Sequence, residues 1–291
     1  INREGYILSD GLTKEEAQKW EVKEKSPEKK EDKKEESKKD EVKEQTTGVE
    51  LKADRLDNTK GIIASLGQTT LNVGKVSNGE GKIVSRGVVE LTTPNEYEYE
   101  GLVEGDAVTT LNGKKITIKE KMQRKNTLEL IGQEGIILKD EIVSGILRLD
   151  TKSDLKNAKE IRGTDTLSVT AKNIENEGNL LSDKNLYVKA EGKLLNKGIG
   201  LIKGKENTYL EGNIIENNRG KILSEGSLTL IAETLIRNDT GKIDAKGDIY
   251  GEVKNGHFEN VGTTELEIKD VLKATGTEGA AVGGIFSRLR R

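Results

Sequence analysis

One histidine, no cysteine and many carboxylates are the groups on this chain with the potential for chemistry. Without cysteine there is no disulfide, no thiolate nucleophile and no zinc–thiolate site. His257 has no second histidine to share a metal with and sits beside Phe258 at a turn, so it is expected to be an isolated surface imidazole. Cleaving a polysaccharide would need two carboxylates held together on one face, one of them tuned as an acid or base. The acidic residues here are scattered and mostly stand next to a lysine, as on a solvated surface. The calcium-binding repeat Gly-Gly-x-Gly-x-Asp is absent, and "GTEGAAVGG" (Gly276 to Gly284) lacks the Lys–Ser/Thr of a phosphate loop. Lys246–Gly247–Asp248 is similar to integrin-binding tripeptides, a match too short to be specific. The expected catalytic, cofactor-binding and metal-binding residues are therefore none, no cofactor is expected, and the chain is not expected to be an enzyme.

Composition narrows the partners. Charged residues make up 34% of 291, yet the net charge is only −3, without the basic surplus that nucleic-acid binding requires. Hydrophobic residues are 32%, with two Phe and one Trp, too few aromatics for an ordinary globular core. Thirty-three glycines against two prolines suit many tight turns between many short strands. No apolar run reaches the length of a transmembrane helix, and no signal peptide is visible. The chain starts at Ile1 rather than Met and reads as an internal piece of something longer.

The informative side chains are asparagines. Leu56–Asn58, Val76–Asn78, Leu155–Asn157, Ile174–Asn176, Leu194–Asn196, Ile215–Asn217, Ile236–Asn238 and Phe258–Asn260 all place an apolar residue two positions before an Asn. The last six Asn are spaced 19, 20, 21, 21 and 22 residues apart, and "INREGYILSDG" at the start matches "NNRGKILSEG", so Asn2 joins the series. Two residues apart on an extended chain is one face, so the pattern predicts Asn side chains turned inward or stacked at a corner. There they would form amide ladders, on a residue that also tolerates left-handed backbone angles.

The elements that must position them are short. "SLTLIAETLIRNDTGKIDAKGD" alternates apolar and polar residues in runs of three to five, broken by Gly, Asn or Asp, which is strand and turn punctuation. One such unit buries five or six aliphatic side chains, at about 1.5–3 kcal/mol each. Ordering some twenty residues costs about 1–2 kcal/mol each in backbone entropy alone. The unit is stable only when stacked on copies of itself. The predicted fold is all-β, a right-handed parallel β-helix of about twelve coils of about twenty residues.

"EGSLTLIAETLIRNDTGKIDAKGD" also resembles the repeats of filamentous haemagglutinin-type exoproteins of the two-partner secretion route. The family phrase G-x-L-x-L-x-A-x-x-L-x-N-x-x-G-x-I-x-A-x-G falls on Gly226, Leu228, Leu230, Ala232, Leu235 or Ile236, Asn238, Gly241, Ile243, Ala245 and Gly247. The match is good at 166–182 and 208–248, fair at 49–87 and poor at 88–150. The resemblance implies a secreted, cell-surface adhesin segment of a Gram-negative bacterium. It also implies a receptor on host cells, other bacteria or extracellular matrix, and an outer-membrane transporter during secretion. The alternatives are the stalk of a contact-dependent growth-inhibition toxin and, third, a polysaccharide-cleaving β-helix enzyme.

The expected organisation is a first coil at 1–13, an insertion at 14–47, a repeat domain at 48–270 and a flexible tail at 271–291. In 14–47, 23 of 34 residues are charged, so that segment is expected to be disordered or partly helical. Within 88–150 the period persists without the Asn. There, Asn112–Gly113 between alternating runs raises a hairpin as the alternative to continued coils, and in "NEYEYEG" Tyr97 and Tyr99 are either an exposed aromatic pair open to a partner or, the reading favoured, two tyrosines on a strand edge.

Overall fold

The computed structural model describes residues 1–20, 48–262 and 272–274. Its strands, wherever their register is defined, pair in parallel with the copy one coil away, which makes the fold a parallel β-solenoid of about 11 turns, one fewer than the repeat count suggests. Two compact units divide the chain: residues 1–92 with 100–109, and residues 93–99 with 110 onward.

In the second unit each coil has three faces. A leucine face carries the alternating aliphatics, an asparagine face, from residue 155 on, the apolar-x-Asn phrase, and a third face a short strand that reads Lys-Ile-x-Ser/Ala in the two coils at 221–224 and 242–245. Thr208–Asn218 and Leu228–Asp239 each supply the first two faces by bending once, and Lys221–Ser224 and Lys242–Ala245 supply the third. The bend falls where the register slips, between Gly212 and Ile214. This is how units of 20 and 21 residues stay in phase: the extra residue bulges at the corner and both faces keep their pairing. Leu210 stacks on Leu230, Ile215 on Ile236, Asn217 on Asn238 and Ile222 on Ile243. Leu186, Val188, Leu210, Leu228, Leu194, Ile215, Ile202 and Ile222 are fully buried, so the core is a column of aliphatic layers, each supplied by one coil.

The first unit repeats the plan. Tyr6–Leu8, Ile62–Ser65, Lys82–Ser85 and Leu102–Gly105 form one four-stranded parallel sheet, with Ile63, Ile83 and Val103 pointing inward and fully buried. Unusually, this sheet is also apolar on its outer side. Tyr6, Leu8, Ile62, Ala64, Val84 and Leu102 form a second layer there, covered by Ala17 and Trp20. Those two residues belong to the start of the charged segment. Lys14–Gln18 is a helix with a complete capping box: the Thr13 hydroxyl accepts from the Glu16 amide, and the Glu16 carboxylate accepts from the Thr13 amide. Arg86 lies 4.1 Å from the Trp20 ring centroid and Lys82 Nζ donates to the Gln18 carbonyl, so the helix is pinned to the sheet. The remainder of the 14–47 expectation lies outside the described residues. So does most of the 271–291 tail, although Leu272–Ala274 is a strand paired in parallel with Gly251–Val253.

Two open alternatives within 88–150 are decided, and the coils continue there, as the retained period suggested. Asn112–Gly113 makes no hairpin: both lie inside one strand, Val108–Ile118, and Glu96–Glu98 pairs with it in parallel. The hydrogen bonds of that strand are taken by neighbouring coils, which removes the need for a local turn. Nor are Tyr97 and Tyr99 an exposed pair. Tyr97 points into the core opposite Ile116, and Tyr99 is half-buried against Arg124. Glu-Tyr-Glu-Tyr-Glu is the ordinary alternation of a strand with its tyrosines turned in.

Candidate interaction surface

The Asn residues do turn inward. Each Nδ2 donates to the Oδ1 of the Asn one coil on: Asn157 to Asn176, Asn176 to Asn196 and Asn196 to Asn217 at 2.8 Å, Asn217 to Asn238 at 2.9 Å and Asn238 to Asn260 at 3.1 Å. In the first unit Asn2 donates to Asn58 and Asn58 to Asn78, both at 2.7 Å. Each link is reinforced by backbone carbonyls; Asn217 Nδ2 also reaches the Gly220 and Lys242 carbonyls at 3.0 and 3.2 Å.

The corner role expected of Asn belongs to other residues. The left-handed backbone angles fall two positions later, on Glu4, Lys60, Glu80, Arg219 and Thr240. The glycine that follows each of these is fixed by contact. A Cβ on Gly241 would fall on Asn217 Nδ2 and 2.8 Å from Asn238 Oδ1, and one on Gly220 would lie 2.8 Å from Asn217 Oδ1. The phrase Asn-x-x-Gly thus records an amide ladder and the space it needs. It is part of the scaffold.

On the outside, charges pair between coils. Glu225 is held by Lys203 at 2.7 Å and Lys246 at 3.1 Å, and their hydrogen bonds bring its carboxyl down to about 2. Asp183 sits between Arg162 at 2.6 Å and Lys205 at 2.8 Å. His257 is exposed, as expected, but not isolated: its Nε2 lies 2.8 Å from Glu259 Oε1. Among the described residues no three His, Asp or Glu side chains come together as a metal site, and no helix is long and apolar enough to cross a membrane.

One outer region differs from this paired, solvated pattern. On the leucine face of the second unit the register aligns Tyr187, Tyr209, Thr229 and Tyr250 in one column. Tyr187 is 47% and Tyr250 38% exposed, and the Tyr187 and Tyr209 rings are 6.4 Å apart. Tyr209 donates to Glu211 at 3.0 Å and Tyr250 to Glu252 at 2.9 Å. Each of these phenols thus bonds a carboxylate two residues along its own strand, on the same outer face. Beside this column is a groove of about 360 Å³, lined by Lys189, Glu191, Glu211, Asn213, Glu233 and Lys254, with Ile231 and the bare backbone of Gly212 contributing to its wall. Lys189 pairs with Glu211 at 2.8 Å and Lys254 with Glu233 at 3.6 Å. Burial and the bond to Glu211 raise the Tyr209 hydroxyl, while Lys189 lowers Glu211. None of these residues stands out in the linear sequence. The signal is that Tyr187, Tyr209 and Tyr250 share one column of the repeat, visible only once the coils are aligned.

The haemagglutinin repeat family matches residues 45–93 and 142–251, omitting the stretch where the Asn is lost. Two curated relatives are similar. A tRNA nuclease CdiA of Yersinia mollaretii is 27% identical over 194 residues, 67% of this chain and 6% of the relative. A toxin CdiA of Yersinia pestis is 24% identical over 222 residues, 75% of this chain and 6% of the relative. The chain therefore spans a small part of the length of the relatives it matches. No solved structure matches it significantly.

Proposed function

The chain belongs to the haemagglutinin repeat family, whose members are secreted and cell-surface proteins of Gram-negative bacteria, and from that premise we propose that it is a structural and adhesive shaft segment that attaches the cell to host cells or other bacteria. The observation that carries this reading is the in-register stacking of near-identical coils around a buried amide ladder. Such a design places every coil's outer face at a fixed spacing and asks nothing catalytic of any one residue. The polysaccharide-cleaving alternative finds many of the carboxylates tied to lysines or arginines of neighbouring coils, which suits a solvated surface better than acid–base chemistry. An outer-membrane transporter is the proposed partner during export. The names of both relatives favour a second reading, the stalk of a contact-dependent toxin.

The test is to delete this segment from the complete gene and assay the bacteria twice, for attachment to cultured epithelial cells and for inhibition of neighbouring bacteria. Loss of attachment alone supports the adhesive shaft. Loss of inhibition alone transfers the segment to the toxin stalk. Retention of both would defeat both readings.

A further inference from the structure

The tyrosine-flanked groove of the second unit combines features that suit one ligand chemistry. Its flanking aromatic column offers apolar rings, those of Tyr209 and Tyr250 held by bonds to Glu211 and Glu252, and rings with a polar end and an apolar body suit ligands that are themselves amphipathic. Its lining then mixes hydrogen-bond donors and acceptors at short range: ammonium groups at Lys189 and Lys254, an amide at Asn213, and carboxylates at Glu191, Glu211 and Glu233. Two of those carboxylates are already bound to the two lysines. An anionic ligand would meet three carboxylates with both lysines already engaged. A neutral polyol meets no such repulsion and can use the paired groups as they stand, because each hydroxyl both donates and accepts. Glu191 is exposed and has no ion-pair partner among the described residues, leaving an acceptor at the rim. The volume lies in the range of small-ligand sites, roughly 300–1,000 Å³. The groove crosses successive coils, so an extended ligand would run across the strands with contacts repeating roughly every 4.8 Å.

We propose that this groove is a binding site for a neutral oligosaccharide, with Tyr187, Tyr209 and Tyr250 as stacking platforms and Glu191, Glu211 and Asn213 as hydrogen-bonding groups. The site deepens the attachment reading and can fail without it. The probes are maltotriose, lactose and chitotriose, with a sialylated lactose and a sulfated heparin disaccharide as charged comparators, each mixed with the purified full chain. Saturation-transfer NMR is expected to show transfer from protein to the ring protons of at least one neutral sugar and none to the sulfated one. Tyr209→Ala is expected to weaken that binding about tenfold, the equivalent of ~1.4 kcal/mol, and Glu191→Gln and Tyr250→Ala to weaken it several-fold, while Lys221→Ala on another face leaves it unchanged. Should Tyr209→Ala lose its β circular dichroism, the other two variants carry the test. No transfer to any neutral sugar, preference for the sulfated one, or full binding by the folded groove variants overturns the proposal. Cell attachment that continues undiminished in excess neutral sugar would overturn it while leaving the shaft reading intact.

Discussion

At the scale of single residues, the most informative contrast is between an amide inside the coil and a charge outside it. The two Nδ2 hydrogens of Asn217 are shared among three acceptors, Asn238 Oδ1 and the Gly220 and Lys242 carbonyls, and its Oδ1 accepts from Asn196, all on a side chain with no exposed surface. Removing it leaves buried partners unsatisfied, which costs about 1–3 kcal/mol beyond the bond itself. Asn217→Ala is therefore expected to lower the urea midpoint clearly more than Lys221→Ala, whose side chain is exposed; equal midpoints would contradict the ladder. Gly241→Ala should do comparable damage by pushing a methyl into the same ladder. The carboxylates give a pH prediction. Glu225 is brought from 4.5 to about 2 by its bonds to Lys203 and Lys246, and Asp57 from 3.8 to about 2 by Thr59 and Arg3. A carboxyl whose folded value is depressed contributes stability above its unfolded value and loses it as pH falls through the folded one. Melting temperature should thus hold near neutrality and fall between about pH 4.5 and about pH 2, and Glu225→Gln should flatten part of that acid limb. A melting temperature that rises through this window would contradict the assignment.

At the scale of elements, the repeat was legible because one polar residue must be buried in the same place each turn. The Asn series alone locates the asparagine face in nine coils, and the alternating Leu-x-Leu-x-Ala locates the leucine face. What the linear chain conceals is anything decided by a neighbouring coil. Asn112–Gly113 carries a strong local turn signal, yet the strands stacked beside it hold the backbone extended. Tyr97 looks exposed between glutamates, yet it faces Ile116. The outer apolar layer under Trp20 was hidden because its members come from the charged segment and from four separate strands. That packing yields a prediction, since Trp20 is the sole tryptophan. Its emission should be blue-shifted and poorly quenched by acrylamide, and Ala17→Asp should shift it to the red with little loss of β signal, because the helix covers the solenoid without forming its core. Full quenching in the unaltered protein would show that the helix is not docked.

At the scale of the whole molecule, the shaft account requires coils to be interchangeable, since the stability of a stacked array is a sum of repeat terms and nearest-neighbour terms. The register makes the requirement sharp. Thr208 pairs with Leu228 and Asn217 with Asn238, so deleting Thr208–Ser227 sets Leu228 where Thr208 stood and joins Asn196 to Asn238 in one ladder. The same deletion removes Tyr209, Glu211 and Asn213, so a protein that still folds should lose the proposed sugar binding. Deleting only Thr208–Asn217 instead brings Asn218 and Gly220 to the inward positions of Thr208 and Leu210, destroying the layer and the ladder together. The most direct test is the thermal melting of these two deletions beside the intact chain, followed by circular dichroism. The whole-coil deletion should melt cooperatively within a few degrees of the intact protein, and the half-coil deletion should melt far lower or not fold. If the whole-coil deletion unfolds as badly as the half-coil one, the chain is not a stack of interchangeable coils.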